Sequence, residues 1–126
     1  MPLVRISLRK GTTPEFRKAL SDGVHRAMVE TINVPPKDRF QIITEHDEGA
    51  LIYDPSYLEI PRTDAIVIIQ ITLNLGRTLE MKKALYARIA RLLKEAPGIS
   101  PEDVFVNLVE VPKENWSFGN GIAQYA

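Results

Sequence analysis

A proline stands directly behind the initiator methionine in the opening segment MPLVRISL. Removal of Met1 would leave Pro2 with a free secondary amine, a nucleophile and base that no other position of a polypeptide supplies. An α-amino group titrates near ~7.7–8 in model peptides, so such an amine exchanges protons readily close to neutral pH. The plain alternative is a proline at the first position of an edge strand, where its missing N–H does no harm. Other chemistries are poorly supplied. The chain has no cysteine, which removes thiolate catalysis and disulfides and fits a reducing, cytoplasmic setting. Its two histidines are His25 and His46. A metal site would therefore be built almost wholly of carboxylates, and neither EF-hand nor histidine-pair spacing occurs. There is no GxGxxG and no phosphate-binding GKS/T loop. The expectation is an activity that needs no metal and no organic cofactor.

The elements that would position Pro2 follow from the rest of the chain. At 126 residues, one domain spanning 1–126 with a single core is expected. Sixteen basic residues balance sixteen acidic ones, so no global field recruits nucleic acid or an anionic membrane. No apolar run approaches the roughly 18 residues that a membrane span needs. No charged-then-apolar signal segment opens the chain.

The sequence repeats itself. GTTPEFRKAL (Gly11–Leu20) aligns with GRTLEMKKAL (Gly76–Leu85) at an interval of 65 residues. The same interval, without a gap, pairs Ile6 with Ile71, Leu8 with Leu73, Pro36 with Pro101, Asp38 with Asp103, Phe40 with Phe105 and Glu45 with Glu110. The repeats run approximately over 2–46 and 65–111, followed by a tail at 112–126. Each copy reads strand, helix, strand. In the first, Leu3–Leu8 is a strand, Thr13 is placed to cap a helix opened by Pro14, and Glu15 sits in its first turn. Phe16, Ala19, Leu20, Val24, Ala27, Met28 and Thr31 share one helical face. His25 lies just off that stripe and reads as an exposed, idle side chain. NVPPKD stops the helix, and Arg39–Glu45 makes the second strand. In the second copy the strand is Ala65–Leu73, Thr78 is the cap, and Met81, Ala84, Leu85, Ile89, Leu92 and Leu93 form the apolar face. APGISPED breaks the helix and Val104–Val111 is the last strand.

Strand–helix–strand units need crossovers, so their strands run parallel with a right-handed connection. The expected fold is α+β, with two tandem β-α-β units forming a four-stranded sheet and both helices on one face. Ala65–Leu73 is apolar at nearly every position, so both faces of that strand seek cover. The helices cover one face; the other points to a homo-oligomer. The long connection HDEGALIYDPSYLEIPRTD reads as a functional loop or a covering flap.

A duplicated frame accounts for what its copies share, so functional candidates are the places where the copies differ. Pro2 corresponds to Val67, an amine against a plain apolar residue. Arg77 corresponds to Thr12, and a cation is slightly unfavourable at a helix N-terminus. The tail ENWSFGNGIAQYA shares almost nothing with HDEGALIYD, and carries Phe118 and the chain's single tryptophan, Trp116. Arg77 also reads as a solvated helix-entry residue, and Trp116 and Phe118 as caps on the core. Asp38 has a matching partner in Asp103, which suits a shared turn residue held by local backbone hydrogen bonds.

The segments MPL, VPPKDRFQ, GRTLEMKKALY and ENWSFGNG resemble the tautomerase superfamily over the whole chain, most closely its long fused-repeat group that includes malonate semialdehyde decarboxylase. The resemblance implies the double β-α-β fold, a homotrimer, and a proline exposed by loss of methionine as the catalytic group. Residue by residue, it implies Pro2 as that proline, Asp38 as an acid beside it, and Arg77 as the holder of a substrate carboxylate. It makes Trp116 and Phe118 the pocket wall. Some decarboxylase-like members carry two arginines before the second helix, whereas TLNLGRT has Arg77 alone. The implied function is a cofactor-independent tautomerase acting on a 2-oxo acid such as an aryl pyruvate, with Pro2 as general base. Two alternatives stand beside it. One is a decarboxylase or hydratase of a 3-oxo acid with Pro2 protonated, and the other is a non-catalytic ferredoxin-like binding module.

Overall fold

Alternation of apolar and polar side chains shapes the first strand, β1 (Pro2–Arg9), in a computed structural model that describes residues 2–126. Pro2, Val4, Ile6 and Leu8 are buried along one side while Arg5 is exposed on the other. Gly11 then adopts a φ of 107°, and its counterpart Gly76 one of 122°, in the turns that lead from strand to helix in the two copies. Such angles favour a residue without Cβ. The caps are as expected. The Thr13 hydroxyl accepts the Phe16 N–H (3.1 Å) at the start of α1 (Pro14–Ile32), and the Thr78 hydroxyl accepts the Met81 N–H (3.2 Å) at the start of α2 (Leu79–Glu95). Asn33, in the left-handed region at φ 60°, ends α1.

The remaining strands are β2 (Gln41–His46), β3 (Val67–Asn74) and β4 (Val104–Val111). The sheet order is β2-β1-β3-β4. β1 runs parallel to β2, β3 runs parallel to β4, and the two units meet antiparallel along β1 and β3, with Ile6 facing Ile69 and Pro2 facing Leu73. Both helices pack on one face, where Leu20, Val24, Met28, Leu85, Ile89 and Leu93 join the inward side chains of β1 and β3 in a single core. The helices approach closely at Gly23, where an added Cβ would sit 2.9 Å from the Leu93 side chain. Within each unit the two parallel strands are direct neighbours, unlike the split β-α-β arrangement of a ferredoxin-like module. β1 is interior, so Pro2 is not the first residue of an edge strand.

The structure departs from the sequence reading in four places. β2 begins at Gln41 rather than Arg39, because the Asp38 N–H donates to the Pro35 carbonyl and the Arg39 N–H to the Lys37 carbonyl, which prolongs the turn. β3 begins at Val67 rather than Ala65, because the Ile66 N–H closes a turn on the Thr63 carbonyl. Burial along β3 alternates: Val67, Ile69, Ile71 and Leu73 lie under the helices, Ile68 and Thr72 are half-buried, and Gln70 is exposed. The face away from the helices still carries exposed Ile42, Phe105 and Val109. Finally, His25 is buried, at 8 % exposure, because the segment after α1 folds back over it and its Nε2–H donates to the Pro36 carbonyl (2.8 Å).

The loop between β2 and β3 contains a short 3-10 turn (Tyr57–Glu59) and buries Leu51. It is latched to the end of β1: Arg9 pairs with Asp64 (3.2 Å) and lies over the Tyr53 ring, whose hydroxyl donates to Asp64 (2.6 Å). That hydrogen bond pushes the Tyr53 phenol up from its ordinary value. Among the described residues no helix is long and apolar enough to cross a membrane.

Candidate active site

Three of the five candidate side chains meet at one end of the sheet. Pro2 opens β1 opposite Leu73. After β4 the tail turns back through a 3-10 turn (Lys113–Asn115), which brings Trp116 to the same end. The Trp116 and Phe118 rings stack, with centroids 5.4 Å apart and planes 18° from parallel. Phe118 also meets Tyr125 edge-on at 4.9 Å. Gln124 staples the tail, accepting the Phe118 N–H and donating to the Gly119 carbonyl, each at 2.9 Å. Pro2, Leu3, Phe40, Trp116, Ser117 and Phe118 line a hollow of about 350 Å³. Met1, whose removal the amine chemistry requires, lies outside the described residues.

Arg77 lies in a neighbouring hollow of about 300 Å³, with Asn33, Asn74, Gly76, Met81 and Lys113. Its guanidinium donates to the main-chain carbonyls of Asn74 (3.3 Å) and Ile32 (3.2 Å). Among the described residues it forms no ion pair. The duplicated frame explains this freedom. In the first copy, Thr12 stands where Arg77 does and is bound through its N–H (3.0 Å) and hydroxyl (2.6 Å) to Glu45. Those bonds, helped by the nearby Arg17, hold the Glu45 carboxyl below its ordinary value. In the second copy the matching carboxylate, Glu110, is taken by Lys82 at 2.7 Å.

Asn74 joins the two hollows. It ends β3, is 8 % exposed, and accepts the Trp116 indole N–H on Oδ1 at 2.7 Å. The sequence reading missed it, although a signal was present: its counterpart in the first copy is Arg9, so the criterion that marked Arg77 marks Asn74 too. Phe40 and Tyr125 were also missed. Phe40 matches Phe105 and so reads as scaffold, and Tyr125 joins the wall only through the folding of the tail.

Asp38 lines neither hollow. Its backbone turn repeats in the other copy, since the Asp38 N–H donates to Pro35 and the Asp103 N–H to Ser100, each at 2.9 Å. The side chains are set differently. Asp103 is buried and accepts both the N–H (2.7 Å) and the hydroxyl (2.6 Å) of Thr63. Counted from Pro2, the first repeat has no equivalent of Thr63. The ladder that sets Val67 beside Val104 corresponds to one that brings Asp38 to the level of the start of β1. Among the described residues no group of three histidines or carboxylates is placed to hold a metal ion.

Two family models, both described as tautomerase enzyme, match residues 38–119 and 2–59. A probable tautomerase of Bacillus subtilis, YusQ, is 45 % identical over 124 residues, covering 98 % of each chain. A solved structure of malonate semialdehyde decarboxylase is similar with a TM-score of 0.92 at 35 % identity, covering 98 % of this chain and 95 % of that one. A fused 4-OT symmetric trimer is similar with a TM-score of 0.79 at 26 % identity, covering 98 % and 97 %.

Proposed function

The chain belongs to the tautomerase family, and from that premise we propose that it is a cofactor-independent tautomerase whose base is Pro2, freed of Met1, acting on a 2-oxo acid such as an aryl pyruvate. The observation that carries this reading is the placement of Pro2 in a hollow walled by Trp116, Phe118 and Phe40, next to the Arg77 hollow. Burial against aromatic rings disfavours the ammonium form of an amine, and a nearby guanidinium acts in the same direction. Pro2 is then neutral near pH 7. In ketonisation it takes the proton from the enol hydroxyl at C2 and returns a proton to C3, so the skeleton gains and loses one proton each. Arg77 receives the carboxylate as a two-pronged donor and offsets the negative charge of the enolate.

A pH–rate profile tests the charge state. A neutral amine is the working form, so kcat/KM for phenylenolpyruvate rises as pH passes through the amine's pKa and levels above it. The second reading, decarboxylation of a 3-oxo acid, reverses the sign. It would be favoured by a carboxylate beside the amine, and Asp38 stands at the level of the start of β1. Held protonated by that carboxylate, Pro2 would polarise the 3-oxo group while the C–C bond to the carboxylate breaks and carbon dioxide leaves. Activity on malonate semialdehyde would then fall as pH rises and the ammonium is lost.

The exposed apolar face bearing Ile42, Phe105 and Val109 supports assembly of three copies, as in the fused 4-OT trimer. Light scattering is expected to give three times the chain mass of 14.2 kDa. Phe105→Asp is expected to shift it to one, and a wild-type mass of one chain would overturn the trimer.

A further inference from the structure

The side chain of Asn74 ends in an amide, with one acceptor oxygen and a nitrogen that carries two donor protons. The residue is 8 % exposed, and of its two polar atoms the oxygen is the one bonded within the described protein. Oδ1 accepts the Trp116 indole N–H at 2.7 Å. The indole is a donor only, so this bond fixes which way the amide faces: the oxygen is toward Trp116 and the nitrogen away from it. Nδ2 carries two protons, and among the described residues nothing accepts from it. The residue lines the hollow that holds Arg77, and its main-chain carbonyl accepts from that guanidinium. A cation and an oriented neutral donor thus border one cavity of about 300 Å³.

We propose that Asn74 is a substrate-contacting residue whose Nδ2 donates to the carboxylate held by Arg77, with the Trp116 indole as the pin that points the amide. This rests on the reading of Arg77 as the carboxylate anchor. It gives a tryptophan a role that phenylalanine cannot fill, because a phenyl ring would wall the hollow equally well but leave the amide free to flip. It also makes the site selective: an ionised carboxylate satisfies both the guanidinium and the amide, whereas a neutral ester leaves the charge uncompensated.

The test is binding of 3-phenylpropanoate, a carboxylate with no proton to shuttle, near pH 7.5. Asn74→Asp keeps the size of the side chain and the acceptor for the indole, but replaces the donor by an oxygen. A hydrogen bond to a charged group is worth enough that its loss raises Kd about 10- to 100-fold. Emission of the single tryptophan and its quenching by acrylamide are expected to stay at wild-type values in this variant. Asn74→Ala removes donor and pin together, so Kd rises about tenfold and the Trp116 emission moves as well. Trp116→Phe also weakens binding, although Asn74 is intact. Wild-type affinity in both Asn74 variants, in protein whose circular dichroism is unchanged, overturns the inference. Because 3-phenylpropanoate undergoes no proton transfer, its Kd is read apart from the amine chemistry. If Arg77→Ala also binds normally, the carboxylate anchor itself falls and this inference falls with it; weakening by Arg77→Ala alone sinks only the role of Asn74.

Discussion

Protein that carries residues ahead of Pro2 is expected to ketonise phenylenolpyruvate about 10²- to 10⁴-fold more slowly than protein that begins at Pro2. The reason is the nitrogen itself. Joined to a preceding residue it is an amide, with no basic lone pair. As the chain end it is a secondary amine of suitable pKa. An extension alters none of the side chains that wall the hollow, from Phe40 to Trp116 and Phe118. An extension also fills space beside the hollow, so the decisive measurement is restoration. A protease that removes the extension to leave Pro2 first should return the rate, with intact mass establishing the new end. Pro2→Ala, once its methionine is lost, still presents an amine, and is expected to fall between the two. Equal rates in extended and processed protein would end the proline mechanism.

The frame around that proline was readable because its signals are local. Thr13 and Thr78 cap helices through bonds to residues three positions on. Gly11 and Gly76 mark matching turns by their positive φ. The interval of 65 residues made each copy a check on the other. What escaped depends on segments far apart in sequence. The wheel of α1 puts His25 at the edge of its apolar stripe, but whether that edge is covered depends on where 33–38 folds, and Pro36 ends up over it. Arg77 and Pro2 were read into one hollow. The structure gives them adjoining ones, because the guanidinium turns toward the ends of α1 and β3 at Ile32 and Asn74. The indole bond of Trp116 to Asn74 spans 42 positions, and neither residue type announces the other. Repeat asymmetry found the tail and the cation; the exchange of Asn74 for Arg9 meets the same criterion as that of Arg77 for Thr12 and was passed over.

The same duplication supplies an internal control for Asp38. Asp103→Ala is expected to lower the unfolding free energy by about 3 kcal/mol, because it removes a buried carboxylate from two Thr63 donors and leaves them unpaired. In a domain of this size that is a fall in Tm on the order of 10 °C. Asp38→Ala removes the matching residue, and because Asp38 stands at the level of the start of β1 its effect is expected to fall on catalysis as well as on stability. A carboxylate near an amine favours the ammonium, so its removal lowers the amine's pKa. The ascending limb of kcat/KM for phenylenolpyruvate then moves to lower pH, and activity on malonate semialdehyde, which would need the ammonium, is lost. Thermal melts and pH–rate profiles of the two alanine variants separate the roles. Two equal losses of Tm with an unmoved limb would make Asp38 a turn residue like its twin, and would leave Pro2 to act as a base with no acid beside it.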